Sequence, residues 1–111
     1  MKDNLILYKT RKFWISISKY YIKLKNKKYF EIASQLFGAW TSIWANVSEA
    51  QWAVSNNDFI NKFSIALKES YELYILENWF NENKNEISKL KDELSEIIAI
   101  LTKIIKTSKL K

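Results

Sequence analysis

The sequence predicts an all-α fold, an antiparallel up-down-up-down four-helix bundle forming a single domain over residues 1–111, and three observations carry that expectation. There is no proline and only one glycine in 111 residues, so the strongest turn-forming punctuation is missing. Apolar side chains recur at alternating steps of three and four residues in four separate stretches, each stretch marking one face of a helix. Finally, 48% of the residues are apolar, enough for a core without disulfide or metal staples.

The first helix is expected from about Thr10 to Lys25, with Leu5, Ile6 and Leu7 as a lead-in or extra turn. Its stripe is Phe13, Ile17, Tyr20 and Leu24, and Trp14 and Tyr21 form a second aromatic row that widens the apolar face beyond what one neighbour covers. Asn26, Lys27 and Lys28 supply a polar connection. The second helix runs from Tyr29 or Glu31 to Val54 on the stripe Leu36, Trp40, Ile43, Val47, Ala50 and Val54. SNND then marks a break, where Ser55 followed three residues later by Asp58 forms a capping box with aspartate in place of the commoner Glu or Gln.

The third helix opens before Phe59. Ile60, Phe63, Leu67, Tyr71 and Tyr74 mark its core face, bordered by Phe59, Ala66 and Leu73. The pattern is confused between Leu73 and Phe80, and NENKN forms the last connection. Asn85 is the expected cap of a fourth helix on Ile87, Leu90, Leu94, Ile97, Leu101 and Ile104, widened by Ile98 and Ile105.

Composition excludes several chemistries. Without cysteine or histidine there are no thiol nucleophiles, disulfides, usual zinc ligands or Ser/His/Asp constellations. The pairs Glu69 with Glu72 and Glu93 with Glu96 have helical spacing, but a ferritin-like metal pattern also needs Glu-x-x-His, so they read as surface charge. No glycine-rich loop is present to cradle a nucleotide phosphate. No cofactor, no metal and no enzymatic activity are expected. No apolar run reaches the roughly 18 to 20 residues of a membrane span, and the N-terminus has no signal-peptide pattern, so a cytoplasmic protein is expected.

The net charge of +6 is unevenly placed. Residues 1–30 carry nine basic side chains against Asp3 alone, whereas residues 29–102 carry eleven acids against five lysines. In an up-down-up-down bundle the first helix begins where the fourth ends, so Lys2, Lys9, Arg11 and Lys12 and the C-terminal lysines would form one basic end, the alternative being solvated lysine faces.

The segments DNLIL at 3–7, SQL at 34–36, TSI at 41–43, ANVSEAQ at 45–51, DFINKFSIALKES at 58–70 and AILTKIIKTSK at 99–109 occur in one order along most of the chain. In them the sequence resembles the ribosomal intervening-sequence proteins, four-helix bundles related to the accessory proteins of diversity-generating retroelements. That resemblance implies an antiparallel bundle, commonly a homopentamer, with a suspected nucleic-acid role. The chain departs from the family between residues 38 and 44. Where the family has Arg-Ser-Gly before Thr-Ser-Ile and a glycine after it, this chain has Gly38, Ala39 and Trp40, then Trp44. Two indoles in place of close-packing glycines require new cavities or a relocated face, since overpacking costs about 1–3 kcal/mol. Gly38 removes a guanidinium that would contact phosphate. Trp14 stands where a small residue is expected, Glu77 falls in an apolar helix end, and the connection at 77–85 is shorter. Together these changes describe a contact surface rebuilt by divergence or by engineering.

Three functions follow as expectations. In a non-enzymatic assembly scaffold, Trp14, Tyr21, Phe37, Trp40, Trp44 and Trp52 form the interface of a homo-oligomer, or join a second protein. In a nucleic-acid-binding accessory protein, Lys9, Arg11, Lys12, Lys19, Lys106 and Lys109 meet RNA phosphates. The third is a membrane-surface role for the basic, aromatic first helix, and it ranks last.

Overall fold

The computed structural model describes residues 5–79 and 84–111, and within these the side chains of residues 75–86 lie outside the description. The expectations for Lys2, Glu77 and the cap at Asn85 fall outside the described residues and side chains. Four helices follow one another: α1 (Leu5–Asn26), α2 (Phe30–Ala50), α3 (Asn56–Trp79) and α4 (Lys84–Lys109). Each packs on the next and α4 packs back on α1, whereas the diagonal pairs do not meet among the described residues. The result is the all-α antiparallel bundle that the periodicity predicts, 47 Å long and about half as wide.

α1 begins more than a turn ahead of Thr10 because the buried stripe continues backwards through Thr10 to Ile6. A buried threonine hydroxyl costs stability unless paired, and Thr10 Oγ1 donates to the carbonyl of Ile6 at 2.8 Å. At the other end the Lys28 N–H bonds to the Lys25 carbonyl and the Tyr29 N–H to the Leu24 carbonyl, both at 2.9 Å, while Lys28 takes φ 69°. This is a Schellman termination with lysine in the left-handed position that glycine usually occupies.

α2 stops at Ala50, one turn short of the expected end, and Val54 is 91% exposed rather than in the stripe. The capping box explains the stop: the Asp58 N–H donates to Ser55 Oγ at 3.0 Å, and Asp58 Oδ2 accepts from the Val54 N–H at 3.3 Å. Satisfying the first turn of α3 takes Val54 out of the α2 ladder.

The core face of α3 is rotated from the expected one. Phe63, Ala66, Ser70 and Leu73 are buried, while Tyr71 is exposed and Ile60, Leu67 and Tyr74 flank the core. A bundle interior that already encloses Phe13, Trp40 and Phe63 leaves room for methyl- and hydroxyl-sized groups, and a tyrosine there would need a partner for its hydroxyl. Ser70 satisfies its own by donating to the Ala66 carbonyl at 2.8 Å. α4 follows its stripe through Leu101, then buries Ile105 and Ser108 while Ile104 moves to the flank. Asn56 Nδ2 donates to the Ser108 carbonyl at 3.0 Å and ties the start of α3 to the end of α4.

Candidate functional site

The aromatic side chains predicted as a contact surface separate into three groups. Trp40 belongs to the first and corrects the expectation: it is fully buried within its own chain, edge-on to Phe13 at a ring-centroid distance of 5.2 Å. It stands on the buried stripe of α2 between Leu36 and Ile43, so its indole fills the core rather than facing a partner. Its Nε1 meets no hydrogen-bond acceptor among the described residues.

The second group crosses the face between α1 and α2. Tyr21 stacks on Phe37 at 4.6 Å and 27°, Phe37 meets Trp14 at 5.7 Å, and Trp14 meets Trp40 at 5.8 Å. Lys25 Nζ sits 5.3 Å from the Tyr21 ring and closes one end of this row with a cation–π contact. At the other end Arg11, Trp14 and Trp44 line a hollow of about 330 Å³. Trp14, Tyr21, Phe37 and Trp44 are only partly covered.

A further apolar row lies outside this face. Tyr8, Ile15 and Ile22, each more than half exposed, stand seven residues apart on the side of α1 turned away from the core, and Ile15 also borders the groove between α1 and α4. Their spacing was legible as a second apolar heptad outside the core stripe, a signal the brighter tryptophans obscured. Trp52 forms the third group by itself, 85% exposed just beyond the end of α2, packed against no cap.

The expected basic end is not one patch. Arg11 turns to the α1–α2 hollow, whereas Lys12 and Lys19, with Lys23 and Lys89, line a groove of about 450 Å³ between α1 and α4 that Glu93 also borders. Lys9 is engaged with Glu96 at 2.6 Å. That hydrogen bond raises the Lys9 pKa and lowers that of Glu96. Lys106 and Lys109 lie on the last turns of α4, about 20 Å along the helix from Glu93. A different opening, of about 500 Å³, occurs at their end of the bundle, where Leu5, Ile6, Phe59, Phe63 and Ile104 meet Lys103 and Lys111. Lys23 and Lys89 were missed by the sequence reading because only the packing of α4 against α1 brings them together.

Glu69 has its pKa raised, first by partial burial and then by the neighbouring Glu72, with the Ser42 hydroxyl opposing the shift. Among the described residues, no cluster of His, Cys, Asp or Glu could hold a metal ion. No helix among them is long and apolar enough to cross a membrane.

Fold and surface together define an antiparallel four-helix bundle with an aromatic face on one side of α1 and a lysine-lined groove on the other. The chain belongs to the 23S rRNA-intervening sequence protein family, whose profile matches residues 2–103. It is similar to the crystal structure of a protein of unknown function from the S23 ribosomal protein family of Bacteroides thetaiotaomicron VPI-5482. That similarity has a TM-score of 0.86 and 32% identity, covering 92% of this chain and 99% of the other. Among curated proteins none matches.

Proposed function

We propose that this protein is a non-enzymatic scaffold that self-associates through its α1–α2 face. The observation that carries the reading is the apolar surface left uncovered there: Trp14 is exposed beside the half-buried Tyr21, Phe37 and Trp44, and Tyr8, Ile15 and Ile22 are exposed on the side of the same helix turned away from the core. From Arg11 to Lys25 this surface extends about 21 Å along α1, long enough to form the centre of a protein interface. Apolar patches of this kind on soluble proteins mark contact sites. A closed ring of identical subunits fits the family resemblance. Light scattering and native mass measurement on nuclease-treated protein test the reading, with assembly above the monomer mass expected at micromolar concentration. A monomer there refutes it.

A second reading has its own observation. The α1–α4 groove gathers Lys12, Lys19, Lys23 and Lys89 beside the carboxylate of Glu93, and a row of ammonium groups suits an RNA phosphate backbone. With about three to four phosphates neutralised, affinity for single-stranded RNA should fall about 20- to 50-fold between 50 and 200 mM salt. RNA binding that is absent at the lower salt, or insensitive to it, excludes this reading.

A further inference from the structure

The side of α1 turned away from the core carries a pattern that neither the core nor the aromatic face uses. Tyr8, Ile15 and Ile22 are 57%, 56% and 56% exposed, and their seven-residue spacing keeps them in one row about 21 Å long on the helix. Trp14 and Tyr21, the aromatic pair expected to widen the apolar side of α1, turn to Phe37 of α2 instead, so the row is a separate surface.

Cations border the row on both edges. Lys12, Lys19 and Lys23 stand on the α4 edge, in the groove that Ile15 also lines, while Arg11 and Lys25 stand on the α2 edge, Arg11 beside Trp14 and Lys25 against the Tyr21 ring. α1 contains no Asp or Glu. On α4, Glu93 borders the groove and Glu96 is taken up by Lys9 at 2.6 Å, and among the residues lining the groove the lysines outnumber the carboxylates. An apolar ridge with positive charge along both sides is the pattern of a helix lying in the plane of an anionic lipid surface, where the ridge enters the acyl boundary and the ammonium groups stay at the level of the phosphates. A second copy of the chain has no face of matching sign among the described residues, since Glu31 and Glu49 lie at opposite ends of α2 and the acids of α3 and α4 are interspersed with Lys62, Lys68, Lys89 and Lys91. An RNA backbone would engage the lysines but leave Ile15 and Ile22 in water, because neither offers a ring on which a base can stack.

We infer that the outer side of α1 docks the folded bundle onto anionic lipid bilayers, with Tyr8, Ile15 and Ile22 entering the interface and the flanking lysines meeting lipid headgroups. The helix lies on the surface without crossing it. Three half-exposed side chains hold weakly by themselves, as do a few lysines, and stable attachment comes from apolar burial and charge acting together. The docking does not depend on self-association through the α1–α2 face. It shares Lys12, Lys19 and Lys23 with the RNA reading and parts from it at the isoleucines.

The test sediments the nuclease-treated full chain with vesicles of phosphatidylcholine containing about one-third phosphatidylserine, and with phosphatidylcholine alone, at about 50 mM salt. Wild type is expected to sediment with the anionic vesicles and not with the neutral ones. Replacing two lysines, Lys12→Gln with Lys19→Gln, should weaken binding about 25-fold, and Ile15→Gln with Ile22→Gln about tenfold. All of these side chains are exposed, and unchanged circular dichroism verifies the fold. Because the chain has no cysteine, Ile15→Cys carries a single environment-sensitive fluorophore, whose emission should shift to the blue on the anionic vesicles. Failure of wild type to sediment with the anionic vesicles overturns the docking, and if it then binds RNA in a salt-sensitive way through the same lysines, the RNA reading stands in its place. Sedimentation that the isoleucine variant leaves unchanged, or a fluorophore that does not shift, also overturns it, since the row would then remain in water. Native mass measurement decides self-association separately from either result.

Discussion

Replacing Gly38 with alanine should stabilise this protein, and the structure sets the size of the gain. Gly38 lies in the interior of α2, has no left-handed φ, and a Cβ built on it meets nothing within 4 Å. There is no steric cost to offset what glycine forfeits in a helix interior, about 1 kcal/mol relative to alanine. Part of that gain acts through the unfolded chain, which loses freedom when the side chain is added. For 111 residues the unfolding entropy converts 1 kcal/mol into a rise of about 4 °C in Tm. Circular dichroism melts of wild type and Gly38→Ala, run at several protein concentrations because the proposed self-association would make Tm concentration-dependent, measure it. An unchanged or lower Tm would refute the reasoning. If the loss appeared only at high concentration, the Gly38 face of α2 would be covered in the assembly, against the placement of the contact on the α1–α2 aromatic face.

The other predictions concern the core, one turn and one carboxylate. Trp40→Ala should cost about 3–5 kcal/mol in urea unfolding, since the indole is fully buried; a loss below 1 kcal/mol would return Trp40 to the contact surface. Lys28→Gly should raise stability by about 1 kcal/mol by relieving the left-handed φ of 69°, and no gain in the same assay would show that the lysine is unstrained. Glu69→Gln should stabilise the protein at neutral pH. Because burial and Glu72 raise the folded-state pKa of Glu69 above 4.5, the folded form holds its proton more tightly than the unfolded chain does. Its contribution to stability is fully present below 4.5 and is lost as pH rises through the folded value. Urea midpoints of the two proteins should therefore converge in acid and separate at neutral pH, and a constant difference would contradict the shift.

Much of this molecule was legible before any tertiary information. Ser55 and Asp58 announced the start of α3, and Phe13, Ile17, Tyr20 and Leu24, like Leu36, Ile43 and Val47, occupy the interior their spacing demanded. These follow from local physics: helical periodicity assigns one face to burial, and a capping hydroxyl satisfies a first-turn N–H whatever lies beyond. The family also came through in the order of short segments along the chain.

The tertiary structure decided which of several eligible side chains enter the core. Trp40 and Trp44 are four residues apart and equally apolar, yet one is sealed against Phe13 and the other half-open beside Arg11, because the neighbouring helix covers only part of the α2 face. Ala66 and Ser70 displaced Tyr71 from the interior because a core holding large rings needs small groups opposite them. The lysine groove exists only because α4 folds back onto α1 and brings Lys89 to Lys12, Lys19 and Lys23 from far along the chain. A sequence determines which faces must be buried, because that depends on spacing within one helix. It does not determine how much of each face a neighbour covers, because that depends on the volumes and angles of all four helices together.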